Sequence, residues 1–219
     1  MGGLPGGSRF DFGPMAPDYE AWYETPRGRG FDRIQKRDVR ALLPRPRPGA
    51  RLLEIGCGTG HWSRFFAAAG YCVTAVDVSP EMITAAREHG DTRCRFGVAD
   101  ACSLPFPDGA FDVAAAVATL EFVQDRHAAV AEMLRCTRAG GTVIIGALNR
   151  LAPINRRRLA EGKQPYASGK LQTPRKLREL LAEFSGGRPI RMIPMETPGL
   201  RELRRPSHKA LIVAAVTNA

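Results

Sequence analysis

An α/β fold built on a doubly wound sheet is predicted for this chain of 219 residues, on three observations. Short apolar runs of strand character alternate with helix-length segments between residues 51 and 147, the pattern of a parallel sheet wound by right-handed crossovers. The first run ends in a glycine-rich turn, Leu52-Leu53-Glu54-Ile55-Gly56-Cys57-Gly58-Thr59-Gly60. Glycines at alternate positions leave no Cβ between backbone and ligand, and a helix start offers free N–H groups there. The next two runs each end at an aspartate, Asp77 and Asp100, on the carboxyl edge where open α/β sheets bind ligands.

Taken in order, residues 1–17 are predicted to be a flexible tail, since the first fifteen are rich in Gly and Pro and lack a secretory apolar core. Asp18-Tyr19-Glu20-Ala21-Trp22-Tyr23 is an aromatic-rich helical turn, and Thr25-Pro26-Arg27-Gly28-Arg29-Gly30 breaks it. A second helix over 31–43 carries Ile34, Val39, Leu42 and Leu43, and Pro44, Pro46 and Pro48 end it. Residues 18–49 thus form a helical cap ahead of a core over 50–148. Within that core, strands are predicted at 51–55, 72–76, 93–98, 111–117 and 142–147. The helices are 61–69, a segment opened by Ser79-Pro80, and 125–137 with Asp125 as its cap. Gly140-Gly141 marks the turn before the fifth strand. Residues 149–172 are basic and weakly periodic, with Arg156, Arg157 and Arg158 in succession, and form a lid. A helix follows Thr173-Pro174 with Leu177, Leu180, Leu181 and Phe184 on one face. Residues 188–197 and 210–216 supply the last two strands.

Composition limits the function classes. A hydrophobic content of 44% suits a globular domain, and no apolar run approaches the roughly 18 residues of a membrane span. The five cysteines form no C-x-x-C pair, which fits a reducing cytoplasm and argues against a disulfide framework or structural zinc. The net charge of +10 is uneven: residues 1–149 hold 17 Lys/Arg and 17 Asp/Glu, while 150–209 hold 15 and 5. That basic region is either a solvated face or an attractor of anions.

The glycine turn is compatible with more than one nucleotide. A dinucleotide-binding turn reads G-x-G-x-x-G, but His61 fills the third slot. A P-loop would continue Gly-Lys-Ser/Thr, which is absent. The flanking pieces are more specific: Ala75-Val76-Asp77-Val78-Ser79-Pro80-Glu81-Met82; Gly97-Val98-Ala99-Asp100-Ala101; Leu104-Pro105-Phe106-Pro107-Asp108-Gly109-Ala110-Phe111-Asp112; and Leu134-Arg135-Cys136-Thr137-Arg138-Ala139-Gly140-Gly141-Thr142. In this order, over about residues 50–147, the chain resembles the class I S-adenosylmethionine-dependent methyltransferases. It looks closest to the small-molecule group that includes the ubiquinone/menaquinone-biosynthesis methyltransferases.

The resemblance implies a seven-stranded Rossmann-like sheet, six strands parallel and the last antiparallel, with S-adenosylmethionine as cofactor and S-adenosylhomocysteine as product. Asp77 would accept both ribose hydroxyls, Asp100 the adenine amino group, and the Ala101 N–H would meet a ring nitrogen. Val78 and Met82 would sandwich the adenine, a role that ordinary core residues would mimic. Gly56, Cys57 and Gly58 would floor the cofactor, and the Gly56 and Val117 carbonyls would take its ammonium. Glu54 would position the loop. His61, with Tyr23 and Arg33 from the cap, are candidates for its carboxylate.

The reaction expected is direct displacement onto a small molecule, with no metal implied. A base is needed only where the acceptor must lose a proton, and Glu121 is the candidate, as base or as holder of a cationic group. It stands where related C-methyltransferases often have His-His; here the pair is Glu121-Phe122, a departure from quinone-precursor enzymes. His127 and His208 read as structural or exposed. Arg156, Arg157 and Arg158 would attract an anionic acceptor. RNA or DNA methylation draws support from the basic region alone, because the Asn/Asp-Pro-Pro-aromatic motif is missing. A non-catalytic cofactor-binding protein and an NAD(P) dehydrogenase are the remaining alternatives.

Overall fold

The computed structural model describes residues 7–89, 91–193 and 209–218. Its described residues build a seven-stranded sheet in the order β3-β2-β1-β4-β5-β7-β6. The strands are β1 (Arg51–Ile55), β2 (Cys72–Asp77), β3 (Cys94–Val98), β4 (Phe111–Val117), β5 (Thr137–Leu148), β6 (Arg191–Met192) and β7 (Leu211–Thr217). From β3 across to β5 every pairing is parallel, and β7 runs antiparallel to both β5 and β6. This is the sheet the resemblance implies. The chain winds outward from β1 through β2 and β3, then returns to lay β4 and β5 on the other side of β1. The order therefore reverses between β1 and β4, which opens a crevice at their carboxyl ends.

Both faces of the sheet are covered, so its strands are apolar on both sides. One face sets Leu52, Val73, Val113 and Ile144 against Trp62, Phe65 and Phe66 of α3 (His61–Ala68) and Val39 and Leu42 of the cap. The other sets Leu53, Ile55, Ala114 and Ile145 against Val130 and Met133 of α5 (Arg126–Cys136) and Leu177 and Leu181 of α7 (Pro174–Phe184). The remaining helices are α1 (Ala21–Glu24), α2 (Pro26–Leu42), α4 (Pro80–Glu88) and α6 (Pro153–Ala160). Four helices start on a side-chain cap: Thr25 accepts from the Gly28 N–H, Ser79 from Met82, Asp125 from Ala128 and Thr173 from Lys176. Each such cap contributes about 1 kcal/mol.

Several sequence expectations need correction. Residues 25–30 do not break the cap. Thr25 caps α2, and the helix runs on through both glycines. Gly28 is required there, because a Cβ would lie 1.9 Å from the Trp22 carbonyl oxygen, where α1 meets α2. Gly140-Gly141 is no turn between helix and strand; β5 starts at Thr137, directly after α5, and pairs Thr137 with Phe111 across a register shift. The basic lid holds an unpredicted helix, α6. It is pinned by buried Asn155, whose side chain donates to the carbonyls of Asn149 and Ala210 at 2.9 Å each. Of the strand expected at 188–197, Arg191–Met192 pairs with β7, and residues from 194 lie outside the described residues.

The tail is corrected most. From Gly7 onward it is held against the turn after β4. The Arg9 N–H donates to the Phe122 carbonyl at 2.7 Å, and the Gln124 N–H donates to the Gly7 carbonyl at 2.7 Å. The Arg9 guanidinium adds bonds to the Val123 and Gln124 carbonyls at 3.1 and 2.7 Å. Phe10, Phe12 and Phe122 then stack edge to face, and a 3-10 turn over Gly13–Asp18 leads into the cap.

Candidate active site

The crevice at the sheet's order reversal is a cleft lined by residues of the glycine loop, the end of β2, and the segments after β3 and β4. Its floor is the glycine loop. Gly56, Gly58 and Gly60 all take positive φ, at 65°, 53° and 81°, a region that residues with a Cβ rarely occupy. A Cβ on Gly56 would also fall 2.1 Å from Cγ2 of Thr119. The loop is tied to the neighbouring strand by the Cys57 N–H, which donates to the Val76 carbonyl at 3.0 Å.

Asp77 closes the end of β2. Its Oδ2 accepts from the Gly58 N–H at 2.9 Å and its Oδ1 from Ser79 at 3.0 Å. Burial pushes its carboxyl above the usual value, and the N–H groups of Ser79, Gly58 and Val78 oppose the rise. A carboxylate has about four lone-pair sites, so accepting capacity remains for a ligand's hydroxyl. Asp100 follows β3 and accepts from the Cys102 N–H at 2.8 Å. Its Oδ2 faces Gly7, where a Cβ would come within 2.7 Å. Val78, Met82 and Ala101 line the cleft with both acids.

Beside the loop, three carbonyls gather around one hydroxyl. Thr119 Oγ1 lies 3.2 Å from the Ile55 carbonyl, 3.3 Å from that of Gly56 and 3.2 Å from that of Val117. One hydroxyl proton satisfies a single acceptor, so this corner keeps spare capacity for a cation.

Behind the loop, Glu54 is wholly buried, accepts from Ser63 Oγ at 2.5 Å, and is pushed by burial up to about 8. It ties β1 to α3 and does not line the cleft. Cys57 is buried, and burial raises its thiol. His61 and Tyr23 stack at 3.7 Å with rings 10° apart. His61 Nε2 meets Asp32 at 2.7 Å, and its Nδ1 lies 3.6 Å from Glu20. Burial raises Glu20, but bonds from His61, Thr59 and Arg64 win and hold it at about 2. These contacts fasten the cap to the start of α3 without entering the cleft lining. Arg33 is exposed on α2 and has no bond or ion pair among the described residues.

Glu121 is neither a surface nor a cap carboxylate. It is fully buried, its Oε1 accepts from the Leu148 N–H at the end of β5, and its Oε2 has no partner among the described residues. Burial pushes it up to about 7. It stands behind the turn whose next residues, Phe122 and Val123, line the cleft. His127 is exposed and lies 3.3 Å from Glu183; His208 is outside the described residues.

The structure thus brings Gly56, Gly58, Asp77, Val78, Met82, Asp100 and Ala101 into one cleft, with the Val117 carbonyl at its edge. It leaves Tyr23, Arg33, Glu54, Cys57, His61 and Glu121 off the lining. The lining also holds Gly7, Ser8, Phe12, Tyr19, Thr119 and Phe122. Tyr19 had a signal, since it belongs to the aromatic turn. The tail residues had none, because glycine-rich composition hides a segment whose order comes from distant partners.

A reversed parallel sheet with a glycine floor and an acid at each of two successive strand ends is the arrangement that the resemblance to class I S-adenosylmethionine-dependent methyltransferases implies. Residues 53–145 match the family described as Methyltransferase domain. It is similar to the malonyl-[acyl-carrier protein] O-methyltransferase of Serratia marcescens, 37% identical over 101 residues, which are 46% of this chain and 39% of that protein. It is also similar to the 2-methyl-6-phytyl-1,4-hydroquinone methyltransferase of Synechocystis, 36% identical over 115 residues, 49% of this chain and 36% of that protein. The match thus spans about two fifths of the length of these curated relatives. A solved Thermotoga maritima structure, described as a S-adenosylmethionine-dependent methyltransferase and possible histamine N-methyltransferase, has a TM-score of 0.71 at 25% identity. The likeness covers 95% of this chain and 98% of that one.

Proposed function

We propose that the protein transfers a methyl group from S-adenosylmethionine to a small-molecule acceptor by direct displacement. The observation that carries this reading is the meeting of Asp77 and Asp100 in one cleft floored by Gly56 and Gly58. Bound there, the cofactor supplies an activated methyl on its sulfonium. Asp77 takes the ribose hydroxyls, Asp100 and the Ala101 N–H the adenine edge, and Val78 and Met82 its faces. The Gly56 and Val117 carbonyls take the ammonium in the corner that Thr119 marks.

With the methyl group already activated, the chain mainly has to hold the acceptor in line and exclude water. The strap from Gly7 to Phe12 and the aromatic cap serve that end. Glu121 supports the wall after β4 from behind, by holding Leu148, and acts on the site through position. The relatives' names describe acceptors that are a carrier-bound malonyl group and a hydroquinone, which supports a small-molecule acceptor here. No described helix is long and apolar enough to cross a membrane.

Calorimetric titration with S-adenosylmethionine, S-adenosylhomocysteine and NAD tests the cofactor. Binding of NAD with neither sulfur compound would sink the reading. Incubation with methyl-labelled S-adenosylmethionine and a small-molecule library tests transfer; tight cofactor binding with no labelled product from any acceptor would favour a binding protein.

A further inference from the structure

Where the cap meets the lid, a cation has no carboxylate partner among the described residues. Arg158 of α6 is half-buried, its guanidinium 4.2 Å from the centre of the Tyr166 ring and 5.9 Å from that of Trp22. Among the described residues its hydrogen-bond partner is the Asn155 side chain at 3.3 Å, and no carboxylate pairs with it. Burial lowers its pKa, and the nearby charges of Arg27 and Arg157 lower it further, against the opposing effect of Tyr166. The other arginines of the lid's triplet differ. Arg157 leans on Glu161 at 3.6 Å, and Arg156 is exposed. A half-buried guanidinium beside two cations is a cost that ring stacking offsets only in part.

Two hydroxyls point to the same vacancy of charge. Tyr19 lines the cofactor cleft, and it is near enough to Tyr166 and Asp77 for both to raise its pKa beyond the rise that burial causes. Neither the Tyr19 nor the Tyr166 hydroxyl has a hydrogen-bond partner among the described residues. Trp22, beside Arg158, meets Tyr23 at 5.1 Å between ring centres, and Tyr23 meets Tyr19 at 6.4 Å, so a run of aromatic rings joins the cap–lid seam to the cleft that Tyr19 lines.

We infer that the methyl acceptor carries an oxyanion, a carboxylate or phosphate ester, bound by the Arg158 guanidinium and the Tyr166 hydroxyl, with its apolar body against Trp22 and Tyr19. The inference rests on the methyltransferase reading and names the substrate class for the same site. A guanidinium fork suits either oxyanion bidentately, and the phenol adds a third donor.

The test uses protein saturated with S-adenosylhomocysteine and titrates it calorimetrically with benzoate, phenyl phosphate and uncharged benzamide. At least one anionic probe is expected to bind about tenfold or more tighter than benzamide, and which one wins separates carboxylate from phosphate acceptors. Arg158→Gln is expected to abolish that preference while holding S-adenosylhomocysteine affinity within about twofold, which also verifies folding. Arg156→Gln is expected to retain the preference. Tyr166→Phe keeps the ring under Arg158 and is expected to weaken the anionic probe about three- to tenfold. Equal binding of charged and neutral probes, binding of none, or a preference that survives Arg158→Gln overturns the inference. A wild-type protein that fails to bind S-adenosylhomocysteine overturns the cofactor reading instead, and that result precedes any probe.

Discussion

Asp77 serves the loop and the ligand with one carboxylate. Its bonds to the Gly58 and Ser79 N–H groups hold the floor of the cleft, and in the proposed reading its remaining lone pairs would take the ribose hydroxyls. Asp77→Asn keeps an acceptor but removes the charge. Charge-assisted bonds contribute about 1.5–3 kcal/mol, so S-adenosylmethionine affinity should fall roughly ten- to a hundredfold by calorimetry. Unchanged affinity would count heavily against the assignment. Glu121 makes a prediction about pH. Burial raises its folded-state value from the ordinary 4.5 to about 7, so the folded protein keeps this proton when the unfolded chain has lost it. The contribution is fully present below the unfolded value and is lost as pH rises toward 7. In urea denaturation at stepped pH, wild type should lose up to about 3 kcal/mol relative to Glu121→Gln across that window. A constant difference between the two proteins would show that Glu121 does not titrate there.

The strap, cap and lid are short elements held by distant partners. The strap lies on the turn after β4 through Arg9, whose backbone and guanidinium reach three consecutive carbonyls from Phe122 to Gln124. Because Gly7, Ser8 and Phe12 line the cleft, loosening the strap should speed the escape of ligand more than it lowers stability. Arg9→Ala is expected to raise the dissociation rate of S-adenosylhomocysteine about three- to tenfold in a chase experiment. An unchanged rate would mean the strap does not gate the cleft. The cap is fastened on two sides. Glu20 bonds Thr59 at 2.5 Å and Arg64 at 2.9 Å beside the glycine loop, and the buried pair of Asp38 with Lys209 at 3.0 Å ties α2 to the start of β7.

Across the whole molecule, the reversal of strand order opens the cleft, and the strap and Tyr19 of the cap wall it in. Ligand binding to the folded state alone should raise stability by mass action. At a hundred times its dissociation constant, S-adenosylhomocysteine should add about 2.7 kcal/mol, a rise in Tm of roughly 5–10 °C for a chain of this size. NAD at the same concentration should give no rise. The reverse pattern in a thermal scan would remove the basis for the cofactor.

The sheet, its order of elements and the acids at its carboxyl edge were legible in the sequence because they rest on local signals. Apolar periodicity, capping residues, and glycines in a strand-to-helix turn act over a few positions, and they point to the sheet's carboxyl edge, where Gly56, Gly58, Asp77, Val78, Met82, Asp100 and Ala101 line one cleft. The misplacements share one physical cause. Local propensity reads residues 7–17 as free chain and Gly28 and Gly30 as a break. Yet contacts more than a hundred residues away hold the strap, and the close approach of α1 selects a glycine inside α2. Glu121 looked like a candidate base because nothing nearby in sequence reports that β5 would bury it against Leu148. The sequence by itself determined the fold and the glycine turn and acids at its carboxyl edge. The tertiary structure alone decided which side chains line the cleft and that Arg158 stands at the seam with no carboxylate partner among the described residues, because burial and charge balance are set by residues brought together only when the chain closes.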